Sequence, residues 1–148
     1  MTVSTLYPFI WKIRRVFQQL RNASDTLLED IGINASQRAL LEVLDEEEGI
    51  SVPQIAKRLS VSRQHIQTLV NELLEKGLAE TAENPAHKRS PLVFSTASGK
   101  KLFASIKESE AKMLKVLAPN FSNTDLAISM KTLETLGELL EAEQWQPK

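Results

Sequence analysis

Arg63, Gln64 and Gln67 open the amphipathic stretch SRQHIQTLVNELLEKG, a helix expected over 62–76. These are residue types that read base edges: an Arg fork matches guanine O6 and N7, and a Gln amide pairs bidentately with adenine. Ile66, Leu69, Val70, Leu73 and Leu74 recur at helical spacing, which turns them inward and leaves Ser62, Arg63, Gln64, Gln67, Thr68 and Asn71 for the outer face. Ser62 and Thr68 are short and suit phosphate better than bases. A solvated polar exterior gives the same pattern, so this helix alone leaves both readings open. A second basic group, His87, Lys88 and Arg89, lies beside Pro85 in the tract AENPAHKRS. A loop tip of this kind fits a narrow minor groove, where concentrated negative potential attracts Arg. A solvated charge cluster is its alternative.

The elements that must position these groups follow from periodicity and capping. Leu6, Phe9, Ile10, Ile13, Val16, Phe17, Leu20, Leu27 and Leu28 form one helical stripe, expected to stop near Gly32. Asn34 and Gln37 have capping-box spacing ahead of a helix running to about Glu48, closed by Gly49. Ser51 and Gln54 repeat the box before a short helix through Ile55, Ala56 and Leu59, with Pro53 in its first turn. A tight turn over 59–62 separates it from the helix at 62–76. The stretches LAET and PLVFST flank the basic tract and read as a hairpin with a long tip. Thr96 caps a further helix up to Pro119, and a last one opens near Ser122.

Composition narrows the function classes. The 148 residues carry Lys+Arg 18 and Asp+Glu 19, with 42% hydrophobic residues and no Cys. Such a chain has the length and apolar content for one domain with its own core. Without Cys there is no disulfide, thiolate metal site or thiol switch. Two His, no H-E-x-x-H, no Gly-rich phosphate loop and no nucleophile elbow leave no assembled catalytic site, and the acidic run at 45–48 reads as a solvated surface. An enzyme is not expected, nor is a metal or cofactor. No apolar run reaches a membrane span and the N-terminus lacks signal-peptide order, so a soluble, cytoplasmic protein is expected. Charge is uneven: residues 57–101 hold eight Lys/Arg against four Asp/Glu, and the remainder is net acidic. A basic centre between acidic ends suits one region meeting a polyanion.

The stretches IGINASQRALLEVL, ISVPQIAKRLSVSRQHIQTLVNELLEKGLAE and HKRSPLVFSTASGKKLF resemble the MarR (multiple antibiotic resistance regulator) family of bacterial transcription factors, over residues 32–103. The specific part is the wing, where Arg89, Thr96 and Gly99 fall at the family's spacings and Lys88 stands for the first of its two arginines. His87 replaces the Asp that braces those arginines, Thr81 replaces an Arg, and Ser95 replaces a Leu.

The resemblance implies a mainly α fold with a small β-hairpin wing. It divides a single domain, 1–148, into a winged helix-turn-helix lobe at 34–96 flanked by dimerisation helices at 1–31 and 97–148. DNA contacts are expected at Ser62, Arg63, Gln64, Gln67, Thr68, Lys88 and Arg89. The outer helices carry more apolar stripe than the lobe can cover, which independently suggests a homodimer through Phe9, Ile10, Ile13, Val16, Phe17, Leu133, Leu136, Leu139 and Leu140. Some of these belong instead to the intrachain core. The resemblance further implies a repressor on a pseudo-palindromic double-stranded operator, released by a small aromatic or anionic effector. Trp11, Arg14, Arg15 and Arg38 are the expected effector residues. Winged domains also serve as protein adaptors, so an adaptor without sequence-specific DNA binding is the alternative.

Overall fold

The first apolar stripe forms α1 (Val3–Leu28) in the computed structural model, which describes residues 2–142. The last part of the expected C-terminal segment, 143–148, lies outside the described residues. A 3-10 turn (Glu29–Ile31) continues α1, and the chain leaves through Gly32 at φ +78°, where a Cβ would be strained. The capping box then starts α2 (Ala35–Glu46): Asn34 Oδ1 accepts the Gln37 N–H at 2.9 Å and Gln37 Oε1 accepts the Asn34 N–H at 3.2 Å. The helix stops at Glu46, short of Glu48, because Glu47 already turns extended.

A strand absent from the sequence reading follows. β1 (Ile50–Ser51) pairs antiparallel with β3 (Leu92–Ser95), Ile50 facing Val93, while β2 (Ala79–Ala82) pairs with the other edge of β3. The expected hairpin is therefore part of a three-stranded sheet in the order β1-β3-β2. Two residues carry no alternation to read, and Ser51 also opens α3 (Val52–Leu59), its N–H and hydroxyl both bonding to Gln54 Oε1 at 3.0 and 2.8 Å.

α3 ends as Ser60 takes a left-handed conformation at φ +55° and the Val61 N–H returns to the Ala56 carbonyl at 3.1 Å. Two residues later Ser62 Oγ accepts the His65 N–H at 3.1 Å and starts α4 (Arg63–Glu75). Ile66, Leu69, Val70 and Leu73 of α4 join Leu40, Leu41 and Leu44 of α2, Ile55 of α3 and Val93 of β3 in the buried core.

α5 (Ala97–Leu117) begins at Thr96, whose hydroxyl accepts the Gly99 N–H at 3.0 Å and donates to the Gly77 carbonyl at 2.7 Å. A Cβ on Gly99 would lie 2.2 Å from the Leu78 carbonyl oxygen. The Thr-x-x-Gly spacing is thus architecture: it seats α5 on the turn that launches the wing. Phe103 and Ile106 carry the first half of α5 into the core. The chain comprises two compact units, Met1–Ile106 and Lys107–Lys148. In the second unit Pro119 sits in a 3-10 turn (Ala118–Asn120), and Ser122 Oγ accepts the Asp125 N–H at 3.0 Å to open α6 (Asn123–Glu141). No residue of α6 is buried.

Candidate nucleic-acid interface

Burial of its apolar stripe leaves α4 with Ser62, Arg63, Gln64, Gln67, Thr68 and Asn71 all exposed, as the sequence separated them. Their hydrogen bonds refine what each can do. Ser62 Oγ spends a lone pair on the cap, and its O–H remains to donate to a phosphate oxygen. Thr68 donates its hydroxyl to the Gln64 carbonyl at 3.1 Å, so outward it offers acceptor lone pairs and a methyl group, not a donor. That chemistry fits a base edge or a thymine methyl better than a phosphate. Gln67 Nε2 donates to Asn71 Oδ1 at 2.9 Å, which holds the Gln67 amide across the face with its Oε1 and second N–H available. Arg63 at the first turn adds a cation where helix N–H groups already favour anions.

Beside this face, α3 and the turn after it form an open groove of about 680 Å³ with Gln54, Lys57, Ser60 and Arg63 in its lining. Lys57 and Ser60 were not singled out in the sequence. Lys57 counted toward the basic centre, but a helical phase that sets it beside Arg63 requires the left-handed turn at Ser60.

At the wing, Lys88 and Arg89 are exposed and form no ion pair among the described residues. The tip is held through its backbone. Asn84, at the base of the tip, donates from Nδ2 to the Ser90 carbonyl at 2.9 Å and accepts the Ala86 N–H on Oδ1 at 3.1 Å. Backbone bonds from His87 to Asn84 and from Ser90 to His87, each 3.1 Å, make two successive turns inside that clasp. Asn84 was missed because its role needs the loop to close on itself, although Asn before Pro is a turn signal.

A second cavity, about 280 Å³, lies among α1, α2 and α4 and is lined by Phe17, Arg21, Ser36, Val61 and His65 together with apolar residues. None of the four expected effector residues, Trp11, Arg14, Arg15 and Arg38, lines it. Trp11, Arg14 and Arg15 are exposed farther up α1; Arg14 shares the stripe of Phe17 and Arg21 but precedes Arg21 by about 10 Å of helix. Arg38 pairs with Glu42 and lies 5.5 Å from the centre of the Phe103 ring. The cation facing the cavity is Arg21, which donates to Ser36 Oγ at 3.3 Å, with the His65 imidazole also in the lining.

Of the expected interface residues in the first unit, Phe9, Ile10 and Ile13 are half-buried, whereas Val16 and Phe17 are exposed. In the second unit Leu136 is half-buried and Leu133, Leu139 and Leu140 are exposed, Leu140 to 57%. Among the described residues no cluster of His, Asp or Glu could hold a metal ion, and no helix is long and apolar enough to cross a membrane.

The sequence profile of the MarR family matches residues 31–90. An uncharacterized protein of Mycobacterium bovis is 31% identical over 125 residues, which span 84% of this chain and 87% of that protein. A solved MarR family transcription regulator superposes with TM-score 0.81 at 27% identity over 93% of this chain and 91% of its own. The DNA complex of MepR from S. aureus has the same fold, with TM-score 0.81 at 21% identity over 90% of this chain and 98% of that one.

Proposed function

This chain belongs to the MarR family of transcription regulators, which are not enzymes, and from that premise we propose that it is a homodimeric, sequence-specific double-stranded DNA-binding repressor. The observation that carries the reading is the outer face of α4, where Arg63, Gln64, Gln67 and Thr68 stand exposed opposite a wholly apolar buried stripe. Arg63 and Gln64 read bases in the major groove, with Gln67 and Thr68 beside them. Ser62 holds phosphate, and Lys88 and Arg89 reach the adjacent minor groove. MepR, with the same fold, is a DNA-bound precedent.

Dimerisation is part of the proposal. One half-site of a few base pairs binds weakly, and two-fold pairing sets two reading helices about 34 Å apart on a pseudo-palindrome. Exposed apolar side chains on α1 and, separately, on α6 supply surface for a second copy. A dimer sitting near a promoter blocks polymerase. The protein therefore acts with the chromosome, in the bacterial cytoplasm.

Release by a small effector belongs to the same proposal, with its site moved to the cavity lined by Phe17, Arg21, Ser36 and His65. An aromatic acid fits that lining: apolar walls for the ring, and the Arg21 guanidinium for the carboxylate with the His65 ring beside it. Its occupant would touch α4 directly and favour dimers whose reading helices no longer match the groove.

The test is selection from a random duplex pool at several salt concentrations. A recovered palindrome, with affinity falling by roughly 10³ to 10⁵ between 50 and 200 mM salt for about six to ten phosphate contacts, is the expected result. A folded dimer that enriches nothing would refute the proposal and favour the adaptor.

A further inference from the structure

Gln37 is 5% exposed and uses both ends of its amide. Its Oε1 completes the capping box of α2, a task Glu performs equally well. Its Nε2 donates to Glu72 Oε2 of α4 at 2.6 Å, a task Glu cannot perform. One helical turn further on, at the C-cap of α4, Lys76 Nζ donates to the Gly32 carbonyl at 2.9 Å, at the end of the 3-10 turn where helix carbonyls lack partners. The same short junction is bonded to α1, with Asp25 Oδ1 accepting the Ala35 N–H at 2.7 Å and Arg21 donating to Ser36. Residues 32–37 thus hold α1 on one side and the C-terminal half of α4 on the other.

We infer that Gln37 is a positioning residue which, with Lys76, sets the register of α4 on the α1–α2 junction and so the half-site spacing the dimer accepts. The apolar stripe of α4 cannot do this alone. Hydrophobic contact is non-directional, and a helix held only by it can roll or slide slightly at little cost. Hydrogen bonds lose strength quickly beyond their short range and narrow angle, so two of them one turn apart oppose both motions. Because α1 carries part of the exposed apolar surface assigned to dimerisation, any play at this junction changes the separation of the two reading helices. The inference rests on the DNA-binding proposal.

The test uses the full-length protein and the operator selected with it, in duplexes with one base pair added or removed between the half-sites. The wild-type protein should discriminate sharply between spacings. Gln37→Glu keeps the capping box, loses the bond and sets two carboxylates together; spacing discrimination should fall about tenfold, in line with the loss of a charge-assisted bond, while affinity for a single half-site stays unchanged. The exchanged pair Gln37→Glu with Glu72→Gln rebuilds the bond with donor and acceptor reversed and should restore discrimination. Lys76→Met, at an exposed position, should act in the same direction as Gln37→Glu and gives the readout if that variant does not fold. Wild-type discrimination in Gln37→Glu or Lys76→Met, or its continued loss in the exchanged pair, overturns the inference. A wild-type protein that selects no palindrome overturns the DNA-binding proposal instead.

Discussion

Replacing Asn84 by Ala separates the order of the wing from the stability of the fold. The substitution removes the bond to the Ser90 carbonyl and the one from the Ala86 N–H. Each contributes about 1 kcal/mol net, toward the lower end for a half-buried loop, so about 1 to 2 kcal/mol of tip order is lost in each protomer. The tip contributes nothing to the buried core, and its loosening should leave the melting temperature within about 2 °C of wild type. Binding must then order the loop to place Lys88 and Arg89, which transfers that cost to association. The expected weakening is about 5- to 30-fold per protomer, and roughly the square of that for a dimer using both wings. Asn84→Asp, which keeps the acceptor for the Ala86 N–H and loses the donor to Ser90, should fall between. Fluorescence anisotropy on the selected operator, beside thermal unfolding by circular dichroism, measures both quantities. Wild-type affinity in Asn84→Ala would refute the clasp, as would a drop in melting temperature comparable to that of a core truncation.

Arg89→Ala should weaken binding to all sequences and reduce the salt slope by about one per wing, with the dimer intact by sedimentation. In contrast, Arg63→Ala and Gln64→Ala should each relax preference at one base pair by about 1 to 3 kcal/mol in a competition selection; uniform weakening would reassign them to phosphate. Gly99→Ala pushes a Cβ into the Leu78 carbonyl and should destabilise the protein by about 1 to 3 kcal/mol in urea unfolding, because the obstacle is backbone. Leu139→Lys together with Leu140→Lys alters only exposed α6 positions, so it should dissociate the dimer while leaving helicity unchanged; a dimer that survives at micromolar concentration would clear α6 of that role.

Much of the lobe was legible because its signals are local. Asn34 with Gln37, Ser62 ahead of α4 and Thr96 with Gly99 act within four residues, and the structure realises each as a hydrogen bond or a close approach. The polar face of α4 was legible for a related reason: a 3.6-residue period sorts inward from outward before any partner is known. Where partners are distant in sequence, nothing local announces them. β1 is two residues long and is defined by Val93, more than forty positions away. The expected effector residues, Trp11, Arg14 and Arg15 on α1 and Arg38 on α2, follow from the crevice that the family resemblance implies. The cavity instead gathers Phe17 and Arg21 from α1, Ser36 from α2 and His65 from α4, a set that only packing brings together.

By itself the sequence determined the boundaries of the lobe helices to within about two residues, the buried stripe of each, and which side chains on α4 face outward. It also excluded thiol chemistry and carried the Arg89, Thr96 and Gly99 spacing. All of these rest on periodicity, capping and residue chemistry, which act over one or two turns of chain. The tertiary structure alone decided the third strand, the clasp that Asn84 makes on the wing tip, the cavity against α4, and the tie from Gln37 to Glu72. Those depend on groups far apart in the chain meeting at hydrogen-bond distance, and a bond of that length exists only once the core has set where each element lies.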